Sequence, residues 1–245
     1  MSQGTKKAVI VGAAGGIGSA LSTMLAGSGW ELVIAGRDPD RLVALSDSLG
    51  TSVRASHTIE ASDFDAIDSM LAEHPDATAL VNLAGSILLK PSSSTSRADY
   101  DQTIAQNLTT AFACVRGAGK HMRRNGGSVV LMSSCAAQIG LSNHEAISAA
   151  KAGVEGLVRS AAASYANSNI RFNAVAPGLV ETPLASGIIS SEPARKASEA
   201  MHPLKRIGQP DEIARVIKML IEPEGAWITG QVIGVDGGMA TVRPK

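Results

Sequence analysis

The feature that most constrains the fold is a regular alternation of short apolar runs with longer amphipathic stretches. An apolar run of four to six residues suits a strand that is covered on both faces of a parallel sheet. The amphipathic stretches between them suit the helices that connect parallel strands. The sequence therefore predicts a doubly wound α/β fold whose strands lie at residues Ala8–Val11, Glu31–Ala35, Ala79–Leu83, Ser128–Met132, Arg171–Ala176 and Gln231–Val235.

Length and charge narrow the class of protein. The 245 residues suit one domain, and the 22 basic residues equal the 22 acidic ones, so no net field attracts nucleic acid or an acidic membrane. We expect a small-molecule ligand, no nucleic-acid partner and no membrane partner. Because no apolar segment approaches about 18 residues and the N-terminus lacks a signal pattern, we expect a cytoplasmic protein. The spacing of Cys114 and Cys135 predicts reduced structural thiols, and no metal site is predicted.

A cluster of glycines follows the first predicted strand directly. It reads Gly12-Ala13-Ala14-Gly15-Gly16-Ile17-Gly18, and a helical pattern continues from it through Ala26. Glycine lets the backbone turn sharply and approach a pyrophosphate, and the N-terminus of the following helix favours anions. We therefore predict a dinucleotide site in a Rossmann-like, single-domain, three-layer α/β/α sandwich over residues 1–245. The predicted contacts of this loop are Gly12, Ala14, Gly16, Ile17 and Gly18.

The end of the second predicted strand bears on the choice of cofactor. Folds that bind NAD(H) usually carry an acidic residue there for the ribose hydroxyls, but this chain has Gly36 followed by Arg37. An arginine can bind a 2′-phosphate through charge-assisted hydrogen bonds, so NADP(H) is predicted in preference to NAD(H). The alternative is that Arg37 is a solvated charge paired with Asp38 or Asp40.

Several ordered motifs between Lys7 and Met239 resemble the short-chain dehydrogenase/reductase superfamily. Asn82-Leu83-Ala84-Gly85 is similar to the turn that follows the fourth strand in that family. Pro177-Gly178 with Thr182 resembles the loop that holds the nicotinamide, and Val235-Asp236-Gly237-Gly238 resembles the C-terminal strand and turn. The resemblance implies further cofactor contacts at Asn82, Ala84, Gly85, Lys151, Pro177, Gly178, Val180 and Thr182.

The same resemblance implies a catalytic set of Asn, Ser, Tyr and Lys. Asn107, Ser134 and Lys151 match three of these positions, but Ile147 stands where the tyrosine would be, four residues before Lys151. The family's roles would have Lys151 bind the nicotinamide ribose, Ser134 donate to an oxyanion and Asn107 hold a water. Each residue also has a structural alternative. Ser134 could end a strand, Asn107 could hydrogen-bond to the backbone, and Lys151 could be a solvated charge on a helix.

His144 is the candidate that could replace the missing tyrosine. Ser142 and Glu145 fit a capping box, so the helix is expected to have begun by His144, which then lies on the Lys151 face, with Ile147 between them. The offset of seven residues resembles the enoyl reductase branch of the superfamily. Imidazole titrates near about 6.5 and suits proton transfer, although it is shorter than a phenol. Alternatively, His144 caps or bonds locally at the start of the helix.

Two functions remain open from the sequence. The first is an NADP(H)-dependent oxidoreductase that acts on a small carbonyl, alcohol or enone, with the proton supplied by His144 or by ordered water. The second is a non-catalytic NADP(H)-binding sensor or scaffold. Residues 185–202 lack a strand pattern and are predicted to form a mobile helical flap. The resemblance also implies a homodimer or homotetramer built on the helices near 101–124 and 142–167, which are rich in small residues.

Overall fold

A computed structural model of the chain describes residues 6–243. Its strands are β1 Lys7–Val11, β2 Glu31–Gly36, β3 Val53–Thr58, β4 Ala79–Asn82, β5 Gly127–Met132, β6 Ile170–Pro177 and β7 Val232–Val235. They form one seven-stranded sheet in the order β3-β2-β1-β4-β5-β6-β7, and every paired neighbour is parallel. This confirms the predicted doubly wound parallel sheet, whereas the predicted domain limits, 1 and 245, lie outside the described residues.

Helices cover both faces of the sheet. They are α1 Gly16–Ala26, α2 Pro39–Leu49, α3 Phe64–Glu73, α4 Arg97–Ile104, α5 Thr110–His121, α6 Glu145–Tyr165, α7 Glu192–Met201 and α8 Pro210–Ile221. One apolar core joins the sheet to α3, α5 and α6, and a second joins the opposite face to α1, α2 and α8. Successive side chains along the central strands therefore point into two separate cores, which explains the nearly continuous apolar sequence of these strands.

All six predicted strands are present, and none of their ends differs from the prediction by more than one residue. The strand that the sequence analysis missed is β3, whose residues are alternately half-buried and exposed. It lies at the edge of the sheet beside β2, so only one of its faces, carrying Ala55, packs against the core. A polar face on an edge strand breaks the apolar run that identified the other strands.

The start of α6 differs from the sequence prediction. The helix begins at Glu145, His144 is its N-cap residue, and the His144 side chain makes no capping hydrogen bond, so the capping box at Ser142 was wrong. Asn143 has a left-handed backbone (φ 64°), and its carbonyl oxygen accepts a 2.8 Å hydrogen bond from the Lys90 amide. Asparagine tolerates this conformation, which reverses the chain before the helix and leaves Ser142 outside it.

A π-helical segment joins α4 to α5 and makes residues 97–121 one continuous helical stretch. The wide turn spans Ala105–Thr109 and contains the buried Asn107. Such segments occur mostly as single turns inside α-helices and frequently at functional sites.

The predicted flap does contain a helix, α7. It begins with Ser191 as the N-cap residue and is tied back by Arg195, which pairs with Glu181. The predicted mobility of this segment stays a prediction. In the described part of the chain, every helix is too short or too polar to cross a membrane.

Both cysteines are buried and free of disulfide bonds, as the sequence predicted. Burial raises the pKa of the Cys114 thiol to about 12 and that of the Cys135 thiol to about 11. Neither thiol forms the reactive thiolate near neutral pH.

Candidate functional site

A cavity of about 930 Å³ opens at the carboxyl ends of the parallel strands. It lies where the strand order reverses, because β1 has β2 on one side and β4 on the other, and ligands of open α/β sheets bind at this switch point. The loops after β1, β2, β3, β4, β5 and β6 all contribute to its wall. The predicted site residues on that wall are Gly12, Ala14, Gly16, Ile17, Gly18, Arg37, Ala84, Gly85, Asn107, Ser134, Lys151, Pro177, Gly178, Val180 and Thr182.

The glycine loop is packed too closely for side chains at two of its positions. Gly12 has a left-handed backbone (φ 80°), and a Cβ atom there would lie 2.9 Å from the Ala84 nitrogen. A Cβ atom on Gly16 would lie 2.7 Å from Cγ2 of Thr182, in the loop that follows β6. The glycines therefore serve to bring three separate loops together around the cavity, besides leaving the backbone accessible to a ligand.

Two arginines line the cavity beyond β2. Arg37 lies 4.0 Å from the Glu60 carboxylate, and its side chain is 60% exposed. Arg41, which the sequence analysis did not identify, donates a hydrogen bond to the Ala14 carbonyl oxygen in the glycine loop. Asp38 accepts from the Arg41 amide as the N-cap of α2, so that carboxylate also has a structural role. Two guanidinium groups and two carboxylates thus surround this end of the cavity.

Asn82 lies beneath the cavity, and the wall formed by the described residues includes Leu83, Ala84 and Gly85 but not Asn82. Its side-chain oxygen accepts from the Ala84 amide at 3.1 Å, and its side-chain nitrogen donates to Thr110 Oγ1 at 3.3 Å. Asn82 therefore shapes the turn that presents Ala84 and Gly85.

Asn107 is held in place by a nearly complete set of hydrogen bonds. Its Nδ2 donates to Ser86 Oγ and to the Thr103 carbonyl oxygen, both at 3.0 Å, and its Oδ1 accepts from the Ser86 amide at 3.2 Å. Both amide protons are used, so the side chain can offer a water only its remaining acceptor capacity. Ser86, which the sequence analysis also missed, thereby joins the loop after β4 to the π-helical turn.

Lys151 carries the buried cation of the site. The Nζ atom donates a hydrogen bond to the Met132 carbonyl oxygen at 2.9 Å, and only 6% of the surface of Lys151 is exposed. Burial lowers the pKa of Lys151 to about 8, because a charged ammonium is poorly solvated in the protein interior. A Cβ atom on Gly85 would lie 3.0 Å from Asn107 Oδ1 and 3.5 Å from Lys151 Nζ, so glycine at this turn lets both polar groups reach one region.

Ser134 and Ile147 complete the wall near Lys151. Ser134 Oγ accepts from the Ala136 amide at 3.2 Å, which uses a lone pair and leaves the hydroxyl proton able to donate into the cavity. Ile147 is 5% exposed and presents hydrocarbon where a tyrosine would present a phenol. This region therefore holds a hydrogen-bond donor and a cation beside an apolar surface.

His144 is placed differently from the other predicted catalytic residues. Among the residues that the structure describes, the cavity wall includes Ile147 and Lys151 but not His144. His144 Nδ1 lies 2.8 Å from the Ser142 carbonyl oxygen, in the loop that precedes α6. This contact corresponds to the local bonding that the sequence analysis gave as the alternative.

Comparison with known proteins identifies the family. A family profile described as Enoyl-(Acyl carrier protein) reductase matches residues 12–240. The chain is 38% identical to cis-4-hydroxycyclohexanecarboxylate dehydrogenase of Sinomonas cyclohexanicum over 96% of both proteins. It is 35% identical to a 3-oxoacyl-[acyl-carrier-protein] reductase of Thermotoga maritima, over 96% of this chain and 97% of that protein.

The fold comparison agrees with the sequence comparison. A short-chain dehydrogenase/reductase from Brucella melitensis, described as a glucose/ribitol dehydrogenase, superimposes with a TM-score of 0.89 at 31% identity, over 97% of each chain. The profile match, the relatives and this structure point to the same superfamily. The chain therefore belongs to the short-chain dehydrogenase/reductase superfamily, whose members are oxidoreductases that use a nicotinamide dinucleotide.

Proposed function

We propose that the protein is an NADP(H)-dependent oxidoreductase that acts on a small carbonyl, alcohol or enone. The observation that carries this proposal is the convergence of Ser134, Asn107 and the buried Lys151 on the cavity that also contains the glycine loop. A buried ammonium without a carboxylate partner is costly, and a bound ligand rich in hydroxyl groups would give it acceptors. When bound, the nicotinamide supplies or accepts the hydride.

The residues around the cavity fit a dinucleotide along its whole length. The glycine loop and the N-terminus of α1 offer backbone amides to a pyrophosphate. Lys151 would hold the nicotinamide ribose, and Pro177, Gly178, Val180 and Thr182 would hold the nicotinamide. Glu60 and Ala61 would border the adenosine.

The preference for NADP(H) rests on charge at the adenosine end. Gly36 removes the carboxylate that would repel a 2′-phosphate, and Arg37 and Arg41 both reach this end of the wall. Guanidinium groups bind phosphate oxygens in a bidentate manner and keep their charge at every physiological pH. Glu60 and Asp38 oppose the preference, but Asp38 is already engaged as the N-cap of α2, and Glu60 lies beside Arg37.

The proton required for carbonyl reduction is assigned to water rather than to His144. Ser134 can hold such a water through its hydroxyl group, and Lys151, with a pKa near 8, can supply positive charge or a proton to it. His144 remains the second candidate, but it would have to leave its contact with Ser142 to reach the cavity.

An enone is the substrate class best suited to a weak proton source. Charge that develops after hydride addition to an enone is delocalised, so protonation can follow later than it does for a simple ketone. The apolar Ile147 and the half-exposed Leu184 on the same wall favour an uncharged organic group at this end. Lys151 is the ionisable wall residue near Ser134, whereas the other ionisable wall residues surround the adenosine end.

A single screen tests this function against its alternative, a non-catalytic NADP(H)-binding sensor. NADPH and NADH are titrated by cofactor fluorescence, and NADPH consumption is then measured with matched panels of ketones and enones. We expect tighter NADPH binding and turnover that Ser134→Ala lowers by about 10²-fold or more, the effect of losing one oxyanion donor. Unchanged turnover in His144→Ala would eliminate the histidine as acid.

Tight NADPH binding with no turnover across both panels would favour the sensor. The observation that supports this alternative is the buried Ile147, whose side chain has no proton to donate.

Association with a second copy is proposed on the long helices. Phe112 on α5 is 48% exposed, and both α5 and α6 carry small residues that permit close helix approach. We propose a homodimer or homotetramer built on this surface, and light scattering of the purified chain measures the number of subunits.

A further inference from the structure

Two histidines and a glutamate form a group outside the cavity, where the edge strand β3 lies beside the end of α3. His57 belongs to the edge strand β3, Glu73 is the last residue of α3, and His74 is the C-cap residue of that helix. Their nitrogen and carboxylate ligand atoms all lie within 4.8 Å of one another. Within residues 6–243 this is the one group of three such side chains at that spacing.

The two imidazoles share a hydrogen bond, and their nitrogens are separated by nearly the distance between two ligands of one ion. His57 Nε2 and His74 Nε2 are 3.1 Å apart, and the rings meet edge to face with an interplanar angle of 80°. Two imidazole nitrogens on one tetrahedral zinc, each about 2.0–2.1 Å from the ion, lie roughly 3.3 Å apart. A small opening of the pair therefore makes room for the ion.

Glu73 supplies an anionic third ligand. Its Oε2 is 4.0 Å from His57 Nε2, and its side chain is 63% exposed. A zinc-bound carboxylate oxygen would lie roughly 3.4 Å from each nitrogen, so the distance from Glu73 Oε2 to His57 Nε2 has to shorten by about 0.6 Å, for which the exposed side chain has room. Three protein ligands leave the fourth tetrahedral position to water.

The surrounding charges permit a cation. The nearby Lys7 ammonium is 2.6 Å from the Asp76 carboxylate and 3.7 Å from that of Glu31. These two carboxylates thus balance the charge of Lys7. Glu73 adds a negative charge beside the two imidazole nitrogens, which are uncharged ligands when they bind a metal ion. Imidazole with one carboxylate favours zinc over hard cations such as magnesium.

We propose that His57, His74 and Glu73 form a Zn²⁺ site that links the edge strand β3 to the end of α3. No metal site was predicted from the sequence, because His57 precedes Glu73 and His74 by 16 and 17 positions and joins them only in the fold. The linked strand continues into Ile59, whose amide donates to the Gly36 carbonyl oxygen at 2.9 Å, and into Glu60 on the cavity wall. The ion would therefore brace the strand that borders the adenosine end.

The test is Zn²⁺ titration of the full chain, freed of any histidine tag and stripped with a chelator, by calorimetry in the absence of nucleotide. We expect one Zn²⁺ per chain, and at least a tenfold loss of affinity in both His57→Gln and His74→Gln. His121→Gln is the matched control, because this histidine lies beside Asp68, outside the group, and its loss should leave the affinity unchanged. Zinc should also raise the unfolding temperature of the wild type but not that of His57→Gln.

Saturable binding that survives both His57→Gln and His74→Gln would overturn the proposal, because the ion would then lie elsewhere. Absence of saturable binding in the wild type, or equal competition by Mg²⁺, would overturn it as well. If a histidine variant fails to fold, the exposed Glu73→Gln variant is measured instead. A loss of Zn²⁺ affinity in this variant supports the site, and an unchanged affinity overturns the proposal by excluding Glu73 as the anionic ligand.

Discussion

Replacing Lys151 with methionine should make the nucleotide-free protein more stable while removing its activity. Methionine has an unbranched side chain one atom shorter than that of lysine and carries no charge, and Lys151 is almost fully buried. The wild-type chain must transfer an ammonium from water into the interior when it folds, and a hydrogen bond to the Met132 carbonyl oxygen offsets only part of that cost.

The magnitude follows from the pKa of this group. Burial lowers the pKa of Lys151 from 10.5 to about 8, and each unit corresponds to about 1.4 kcal/mol, so the charged lysine costs about 3 kcal/mol near pH 7. Removing Nζ also removes its hydrogen bond, which is worth about 1 kcal/mol. The expected net gain in the free energy of unfolding is about 2 kcal/mol, or roughly 4–8 °C in Tm for a chain of this size.

The pH dependence has a defined sign. Because the folded pKa is lower than the unfolded one, the cost is fully present below pH 8 and is relieved as the pH rises toward 10.5. The stability advantage of Lys151→Met should therefore shrink above pH 8 and vanish at about pH 10, where the remaining cost of deprotonating the lysine, about 1 kcal/mol, equals the hydrogen bond that methionine lacks.

The assay is urea or thermal unfolding at pH 7, 8.5 and 10 without nucleotide. Lys196→Met is the control, since the Lys196 side chain is 71% exposed and the change should stay within about 0.5 kcal/mol. A wild type more stable than Lys151→Met at pH 7, or a difference that does not vary with pH, would refute the reasoning about the buried charge.

Three further changes test other parts of the site. Gly16→Ala should abolish nucleotide binding in a fluorescence titration, because the added carbon meets Thr182, whereas Gly140→Ala, with open space around it, should bind normally. Arg41→Ala should weaken NADPH binding by roughly 10-fold or more but leave NADH binding almost unchanged, as expected for one lost charge-assisted bond; equal losses for both cofactors would contradict a 2′-phosphate contact. Ile147→Tyr should create or increase ketone reduction if the site retains the family geometry, and an inactive, folded variant would show that it does not.

The sheet could largely be predicted from the sequence, because burial on both faces leaves a local signal in each central strand. Val9 and Val33 belong to one core and Ile10 and Ile34 to the other, so consecutive positions are all apolar. The edge strand β3 lacks this signal, since only one of its faces meets the core.

The predicted site residues were accessible to sequence analysis where a motif stands next to a strand end. The glycine loop and the loop after β6 are of this kind, and both line the cavity. Arg41 and Ser86 were missed because their partners, Ala14 and Asn107, are more than 20 positions away and become neighbours only through the fold. The start of α6 was misplaced because a left-handed Asn143 has no reliable sequence signature.

The π-helical turn between α4 and α5 has a consequence for any variant whose chain length changes there. A turn of this type contains one residue more than an α-helical turn, and one residue corresponds to roughly 100° of rotation about the helix axis. Deleting a single residue from Ala105–Thr109 would let the stretch become a regular α-helix, with little loss of helical hydrogen bonding. The side chains upstream would swing by a quarter of a revolution or more, and Asn107 would lose its partner Ser86. The extra residue thus sets the rotation of α4 relative to α5, so that one continuous helical stretch can pack against two different sets of neighbours.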